Sequence, residues 1–171
     1  MATLIKERRI ASDNWRLIKA GADGALPEIP GDGDIIVPLA LWQRERAALL
    51  ARKGGLAVWL DSHEDPAAIA DDLKHLALVA VNFPKFGDGR GYSTARLLRE
   101  RYGWKGELRA IGEVVRDHLF AMAAVGFDAF LLRDDQDPRE ALTAFHDFGE
   151  SYQTSAAQPQ PLFRRRLAGA K

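Results

Sequence analysis

The chain has 171 residues, of which 47% are hydrophobic and 28% are charged, the composition of an ordinary globular domain. Its 24 basic residues balance 24 acidic residues, which argues against a nucleic-acid-binding surface. There is no cysteine, so disulfides, thiolate nucleophiles and thiolate ligation of iron–sulfur or sirohaem-type centres are excluded.

The sequence lacks the signals expected of a secreted or membrane-spanning protein. The first seven residues lack the apolar segment of a signal peptide. No uninterrupted apolar run approaches the roughly 18 to 20 residues needed to span a bilayer. The absence of disulfides fits a reducing compartment. We therefore expect a cytoplasmic protein that does not contact membranes.

Residues 1–33 predict a hairpin-like arm followed by a loop. Short apolar pieces alternate with polar breaks at residues 12–14 and 21–24. Pro27, Pro30 and the segment 31–33 then favour an irregular connection.

Five strand–helix units are predicted after the arm. Apolar runs predict strands over residues 35–39, 56–60, 76–83, 107–111 and 127–132. Helical spacing and caps predict helices over residues 41–52, 66–75, 93–102, 114–125 and 138–152. Asp61, Ser62 or Asp65 is expected to cap the second of these helices, and Asp137 the last. This alternation predicts an α/β fold with a mainly parallel sheet, either an open three-layer sandwich or a partial barrel. The sequence does not separate the two, and an open or partly curled sheet is preferred.

One domain accounts for residues 1–153, because the chain shows no internal repeat and no second domain. Residues 154–171 include Gln158-Pro159-Gln160-Pro161 and predict an extended or disordered tail.

Residues 82–93, here called the glycine–arginine loop, combine a permissive backbone with positive charge. Three glycines in five residues allow a tight turn and close approach to a ligand. Ser93 or Thr94 is predicted to cap the next helix, whose free N–H groups would suit an anion. An anion site and a purely structural turn both remain open. The candidate anion-binding residues are Lys85, Gly87, Asp88, Gly89, Arg90, Gly91, Tyr92 and Ser93.

Loops that follow parallel strands meet at one edge of the sheet, where ligands usually bind. We therefore expect Asp88, Arg90, Tyr92, Glu113 and Arg133 to converge there, unless Asp88 merely pairs with a neighbouring arginine. The secondary site candidates are Arg109, Glu113, Asp117 and Arg133.

Signatures of cofactors and catalysis are not evident. Carboxylates at positions 88, 113 and 134 are interpreted as caps or ion pairs in preference to a magnesium site. The four histidines lack the spacing of a zinc site, so no metal is predicted. Dinucleotide-binding, phosphate-loop and serine-hydrolase motifs do not occur, and the tryptophans are interpreted as core or interface anchors. The cofactor stays unknown, and whether the protein is an enzyme stays open.

A family resemblance centres on the glycine–arginine loop. The segments that carry it are residues 37–39, 42, 86–93, 95–99, 106–110, 117 and 126–130. In these segments the chain resembles a bacterial family catalogued as domain of unknown function 934, over roughly residues 34–150. His118 stands where much of the family is expected to have glutamine, which argues against this histidine as a universal catalytic base.

Members of that family are commonly labelled as oxidoreductases involved in sulfite reduction. The resemblance implies a role in assimilatory sulfite reduction. Because the chain has no cysteine and no visible cofactor motif, we prefer an accessory or small-anion-binding protein that works with the sulfite reductase or another protein of sulfur assimilation. The alternative, which the family label favours, is an oxidoreductase with an unidentified cofactor. A small oxyanion is the expected ligand, and a homodimer is compatible with the chain, with the helix over 41–52 and Trp42 as candidate interface surfaces.

Overall fold

The computed structural model describes residues 3–19, 21 and 25–146. The predicted tail over 154–171 and the end of the last predicted helix lie outside the described residues.

Eight strands form one sheet. They are β1 Leu4–Lys6, β2 Arg9–Ala11, β3 Arg16–Leu17, β4 Ile35–Pro38, β5 Leu56–Leu60, β6 Leu78–Phe83, β7 Glu107–Gly112 and β8 Ala129–Leu131. Their spatial order is β2-β1-β8-β7-β6-β5-β4-β3. Strands β3 to β8 run parallel, whereas β1 is antiparallel to both β8 and β2. The predicted mainly parallel sheet with a hairpin-like arm is confirmed.

Helices follow the strands of the parallel part. The α-helices are α1 Leu39–Ala51, α2 Arg90–Arg96, α3 Leu119–Ala124 and α4 Pro138–Thr143. The 3-10 helices are Pro66–His75, Arg116–His118 and Ala144–His146, and Leu97–Arg101 is a π-helix that continues α2. Within the described ranges, every helix is too short or too polar to cross a bilayer.

The connection between β2 and β3 requires the sheet to curl. These two strands occupy opposite edges of the sheet, yet only residues 12–15, here called the strap, join them. In a flat sheet the two edges would lie about 34 Å apart, at about 4.8 Å per strand. Five Cα–Cα steps of 3.8 Å span at most about 19 Å. The sheet is accordingly a half-barrel, which confirms the partial-barrel alternative; the open three-layer sandwich is wrong.

The two faces of the half-barrel pack differently. A large cluster joins its convex face to the helices, for example Val58 and Val79 to Leu41 and Leu98. A smaller cluster occupies the concave face, and its members come from the strands and the strap. They are Ile36, Ala57, Leu78, Ala80 and Ile111, with Trp15, Leu17, Trp59 and Leu131 packed against them. Trp42, a candidate interface residue, is 1% exposed in the larger cluster and donates its indole N–H to Asp72.

A buried ion pair fixes the strap across the concave face. Arg109 on β7 is 1% exposed, and its Nη1 lies 3.0 Å from both carboxylate oxygens of Asp13. Arg109 Nε donates to Glu107 Oε1 at 2.8 Å, and Lys6 Nζ lies 2.8 Å from Glu107 Oε2. Since Glu107 begins β7, these charges close the half-barrel near the amino ends of its parallel strands. Its carboxyl ends stay open.

Helix ends were predicted with mixed success. Asp65 and Asp137 accept hydrogen bonds from the first turns of their helices, as expected. The prediction that Ser93 or Thr94 caps α2 is wrong, because the helix already begins at Arg90 with Gly89 at its N-cap.

The predicted start of the next helix at Val114 is also wrong. The Val114 carbonyl accepts a hydrogen bond from the Arg133 N–H, and this pairing holds the chain in a buried loop. A 3-10 turn follows, and α3 begins at Leu119.

We predict that Asp13→Ala lowers the free energy of unfolding by about 3 kcal/mol, because it leaves the buried Arg109 with one of its two anionic partners. Urea denaturation measures this loss. The control is Asp117→Ala, since the Asp117 side chain is 76% exposed and lies 3.6 Å from Arg116. A loss below about 1 kcal/mol for Asp13→Ala would show that the ion pair does not hold the strap.

Candidate functional site at the mouth of the half-barrel

A cavity of about 260 Å³ opens on the concave face at the carboxyl ends of the strands. Its lining residues come from β5, β6 and β7 and from the strand β3 with the residues just after it. They are Leu17, Lys19, Trp59, Asn82, Ile111 and Gly112. Ligands of parallel sheets and barrels bind at this end, because the loops there can vary while the strands hold them in place. We call this space the mouth cavity.

The walls of the mouth cavity are largely apolar. Leu17 and Ile111 contribute aliphatic surface, and Trp59 contributes an indole ring. The Trp59 indole N–H donates to the Ile18 carbonyl at 2.9 Å, which links β5 to the residue that follows β3. This hydrogen bond fixes the orientation of a partly buried aromatic surface beside the cavity.

The polar side of the cavity is held by the turn after β5. Asn82 Nδ2 donates to Asp61 Oδ1 at 3.0 Å, and the Asp61 carboxylate also accepts the Ser62 N–H at 2.8 Å. Glu64 in turn accepts the Asp61 N–H at 2.7 Å. The Asn82 amide is thus oriented by its neighbours, and it keeps further hydrogen-bonding capacity for a ligand.

Gly112, the last residue of β7, lies at the mouth in a position where a larger residue would not fit. Its φ is +92°, and a Cβ there would lie 2.4 Å from the Phe83 carbonyl oxygen and 2.5 Å from Asn82 Oδ1. The backbone therefore reaches the cavity surface without a side chain.

Lys19 supplies positive charge at the mouth. It is exposed, and among residues 3–19, 21 and 25–146 no carboxylate forms an ion pair with it. An unpaired ammonium beside apolar walls attracts an anion more strongly than one surrounded by solvent.

In the glycine–arginine loop, the Asp88 carboxylate neutralises the charge of Arg90. Arg90 Nη2 lies 2.6 Å from Asp88 Oδ2, and Arg90 Nε lies 2.9 Å from Asp88 Oδ1. The Arg90 backbone N–H also donates to Asp88 Oδ1 at 3.1 Å. The hydrogen bonds from the Arg90 guanidinium hold the pKa of Asp88 well below its ordinary range. Anion binding in this loop stays a prediction, and it requires an anion to displace the Asp88 carboxylate.

The glycines of this loop differ in their surroundings. A Cβ on Gly91 would lie 2.6 Å from the Phe83 ring, so packing against that ring requires glycine. Gly89 occupies the N-cap position of α2. Gly87 has an ordinary φ, and no heavy atom lies within 4 Å of the place where its Cβ would be.

The remaining candidates of the loop are placed outside the mouth cavity. Lys85 and Ser93 are exposed. The Tyr92 ring packs edge-on against Phe83 with ring centroids 5.5 Å apart, and burial raises the pKa of its hydroxyl. Tyr92 is therefore mainly a packing residue.

Of the secondary candidates, Arg109 belongs to the buried ion pair with Asp13 near the amino ends of the strands. Arg133 forms an ion-pair cluster at the surface. Arg133 Nη1 lies 2.6 Å from Glu113, and its Nε lies 2.6 Å from Asp135. These carboxylates raise the pKa of Arg133. The Arg133 guanidinium in turn lowers the pKa of Asp135 to about 2 through their hydrogen bonds. The five residues expected to converge thus form contacts in different places: Arg90 with Asp88, Tyr92 with Phe83, and Arg133 with Glu113.

A second cavity of about 390 Å³ lies between Phe86 and α4, and Arg133 and Arg116 line it. Asp117, Asp135, Asp137 and Glu140 also line it, so carboxylates outnumber guanidinium groups. Its charge does not favour an anion. Among the described residues, no group of three or more histidine or acidic side chains is arranged to hold a metal ion.

Three side chains of the mouth were not selected from the sequence. Lys19 follows a strand of only two residues, which gives too little periodic signal to place it. Trp59 was interpreted as a core or interface anchor, and Asn82 was noted only as the start of the glycine–arginine loop. Alternation along β5 and β6 was the available signal, because it puts Trp59 and Asn82 on the face opposite the helices.

Comparison with known proteins gives one family. A family model described as "Bacterial protein of unknown function (DUF934)" matches residues 57–163, more than half of the chain. No curated protein and no solved structure matches. The matched segment includes Trp59, Asn82, Gly112 and the glycine–arginine loop, whereas Lys19 precedes it.

Substitution of two glycines tests this geometry. We predict that Gly112→Ala lowers the free energy of unfolding by at least about 2 kcal/mol, through its positive φ and its contacts with Asn82 and Phe83. The control, Gly87→Ala, should change it by less than about 1 kcal/mol, since its Cβ meets open space. Urea denaturation of both variants measures the difference, and equal losses would contradict the described mouth.

Proposed function

The chain belongs to the DUF934 family of bacterial proteins, whose function is unknown, and we propose that it is a cytoplasmic accessory protein of assimilatory sulfite reduction. In this proposal it binds a small anion at the mouth of the half-barrel and works with the sulfite reductase or another protein of sulfur assimilation. The proposed role in sulfite reduction is based on the family resemblance of the sequence. The proposed binding of an anion is based on the residues that line the mouth cavity.

The observation that carries the proposal is the position of Lys19, which forms no ion pair with any described residue, beside a cavity at the carboxyl end of the sheet. The other cations considered there are mostly neutralised: Arg90 by Asp88, and Arg133 by Glu113 and Asp135. Lys85 also forms no ion pair with a described residue, but it does not line the mouth cavity. Lys19 therefore combines a charge that no described residue neutralises with a concave, partly apolar surface, which is the usual setting of a small-molecule site.

Binding without turnover is favoured by the chemistry of the lining. Of the six described residues that line the mouth cavity, only Lys19 has a charged side chain. A hydrolytic or acyl-transfer site would place a nucleophile or a general base next to an orienting partner. The Asp61 carboxylate is engaged with Asn82 and the Ser62 N–H, so its role is to orient the mouth.

A contact surface for a partner protein is proposed at the tip of the glycine–arginine loop. Phe86 is 59% exposed, and its ring lies on His118 with centroids 4.4 Å apart. Large aromatic side chains with this exposure are characteristic anchors of protein interfaces. The open space around Gly87 would allow another backbone to approach closely. A homodimer remains compatible with this surface.

The second candidate function is an oxidoreductase of the same pathway. The position of Trp59 favours it, because a partly buried indole beside the cavity offers a surface on which a planar redox cofactor could stack. The family label of the resemblance agrees with this alternative, and the cofactor would be unidentified.

Complementation of growth tests the proposed function. A strain that lacks this protein should grow poorly with sulfate or sulfite as its sulfur source and normally with cysteine. The unaltered protein and Lys85→Gln should restore growth, whereas Lys19→Gln should restore much less, because it removes the charge at the mouth. Immunoblotting shows whether the variants accumulate equally.

Two results would contradict this account in different ways. Normal growth of the deleted strain on sulfate and sulfite would remove the role in sulfite reduction. Loss of growth with Lys85→Gln but not with Lys19→Gln would instead place the site in the glycine–arginine loop.

A further inference from the structure

We propose that the mouth cavity binds a planar organic anion, one aromatic or heteroaromatic ring that carries a single carboxylate or sulfonate group. This inference rests on the proposed binding of an anion at the mouth and specifies the class of that anion. A bare inorganic oxyanion is the alternative.

The size of the cavity argues for a ring. A cavity of about 150 Å³ is enough to hold benzene in a protein interior. The mouth cavity, at about 260 Å³, has room for one ring together with an anionic substituent. A single sulfite or sulfate ion would leave much of this space to water.

The chemistry of the walls also favours a ring. Leu17, Trp59 and Ile111 present apolar surface, which offers nothing to replace the hydration of an inorganic oxyanion. An aromatic ring loses little hydration there and gains from burial. The Trp59 indole, oriented by its hydrogen bond to the Ile18 carbonyl, adds a favourable aromatic contact.

The polar groups fit one negative charge. In the part of the chain that the structure describes, Lys19 is the single cationic side chain that lines the cavity, so a ligand with several phosphates would remain largely uncompensated. Asn82, held by Asp61, supplies an amide that can accept or donate a hydrogen bond to a ring substituent. One cation and one amide opposite apolar walls match a ring with one charged end.

Isothermal titration calorimetry with four probes separates charge from shape. Benzenesulfonate carries both features, methanesulfonate and sulfite lack the ring, and benzamide lacks the charge. We expect benzenesulfonate to bind the unaltered protein at least about tenfold more tightly than each of the other three.

Variants locate the binding. Lys19→Gln and Trp59→Leu should each weaken benzenesulfonate at least about tenfold, whereas Lys85→Gln should change its affinity less than about twofold. Trp59→Phe keeps an aromatic ring and should lose less affinity than Trp59→Leu. If Trp59→Leu fails to fold, the comparison of the four probes on the unaltered protein still decides the question.

The outcomes distinguish this inference from the proposed function. If methanesulfonate or sulfite binds as tightly as benzenesulfonate, the ring is irrelevant and only the proposed anion binding survives. If benzamide binds equally well, the requirement for an anion is wrong. If none of the probes binds, both the inference and the anion-binding proposal are contradicted.

Discussion

The architecture depends on the short strap that joins the two edges of the sheet. Because β2 and β3 lie at opposite edges and four residues connect them, the sheet cannot be flat. The strap is held where it crosses: Asp13 binds Arg109 on β7, and the Asp13 carboxylate also accepts the Trp15 N–H at 3.1 Å. Burial of Arg109 without its carboxylate partners, Asp13 and Glu107, would be strongly unfavourable. The ion pair therefore fixes the place at which the strap crosses the sheet.

Curling of the sheet and crossing of the strap together create the candidate site. The helices cover the convex face, and the strap covers the concave face near the amino ends of the strands. The half-barrel is therefore open at the carboxyl ends of the strands and covered by the strap near their amino ends. Trp59, Asn82 and Gly112 lie at this mouth on neighbouring parallel strands. Lys19 lies there just after β3, the strand that follows the strap. A site that depends on the strap is thus built from residues distant in sequence.

The elements that could be predicted are those with a strong local signal. Apolar runs placed the five parallel strands that follow the arm. Asp137 was correctly expected as a cap, and Asp65 was one of three candidates for the other. The start of α2 was misplaced because Asp88 captures the Arg90 N–H earlier in the chain than the serine or threonine that resembled a cap. The curl could not be derived, since β3 is two residues long and Asp13 pairs with a residue 96 positions away.

The sequence and the structure both direct attention to the carboxyl edge of the sheet, but they differ in which charged groups are free to meet an anion there. The glycine–arginine loop has a composition suited to anions, and its nearest anion is its own Asp88. A sequence shows that a carboxylate is near an arginine in the chain, but not that the two side chains satisfy each other. Lys19 and Trp59 carry no distinctive motif, and only the three-dimensional arrangement brings them to one cavity.

The central claim is that the mouth of the half-barrel binds an anion, and a titration of the ¹⁵N-labelled protein followed by nuclear magnetic resonance tests it most directly. With benzenesulfonate as the probe, the account predicts the largest chemical-shift changes at the Gly112 amide, the Asn82 side-chain amide and the Trp59 indole N–H. Changes concentrated at residues 85–93 with the mouth unaffected, or no change anywhere, would contradict it.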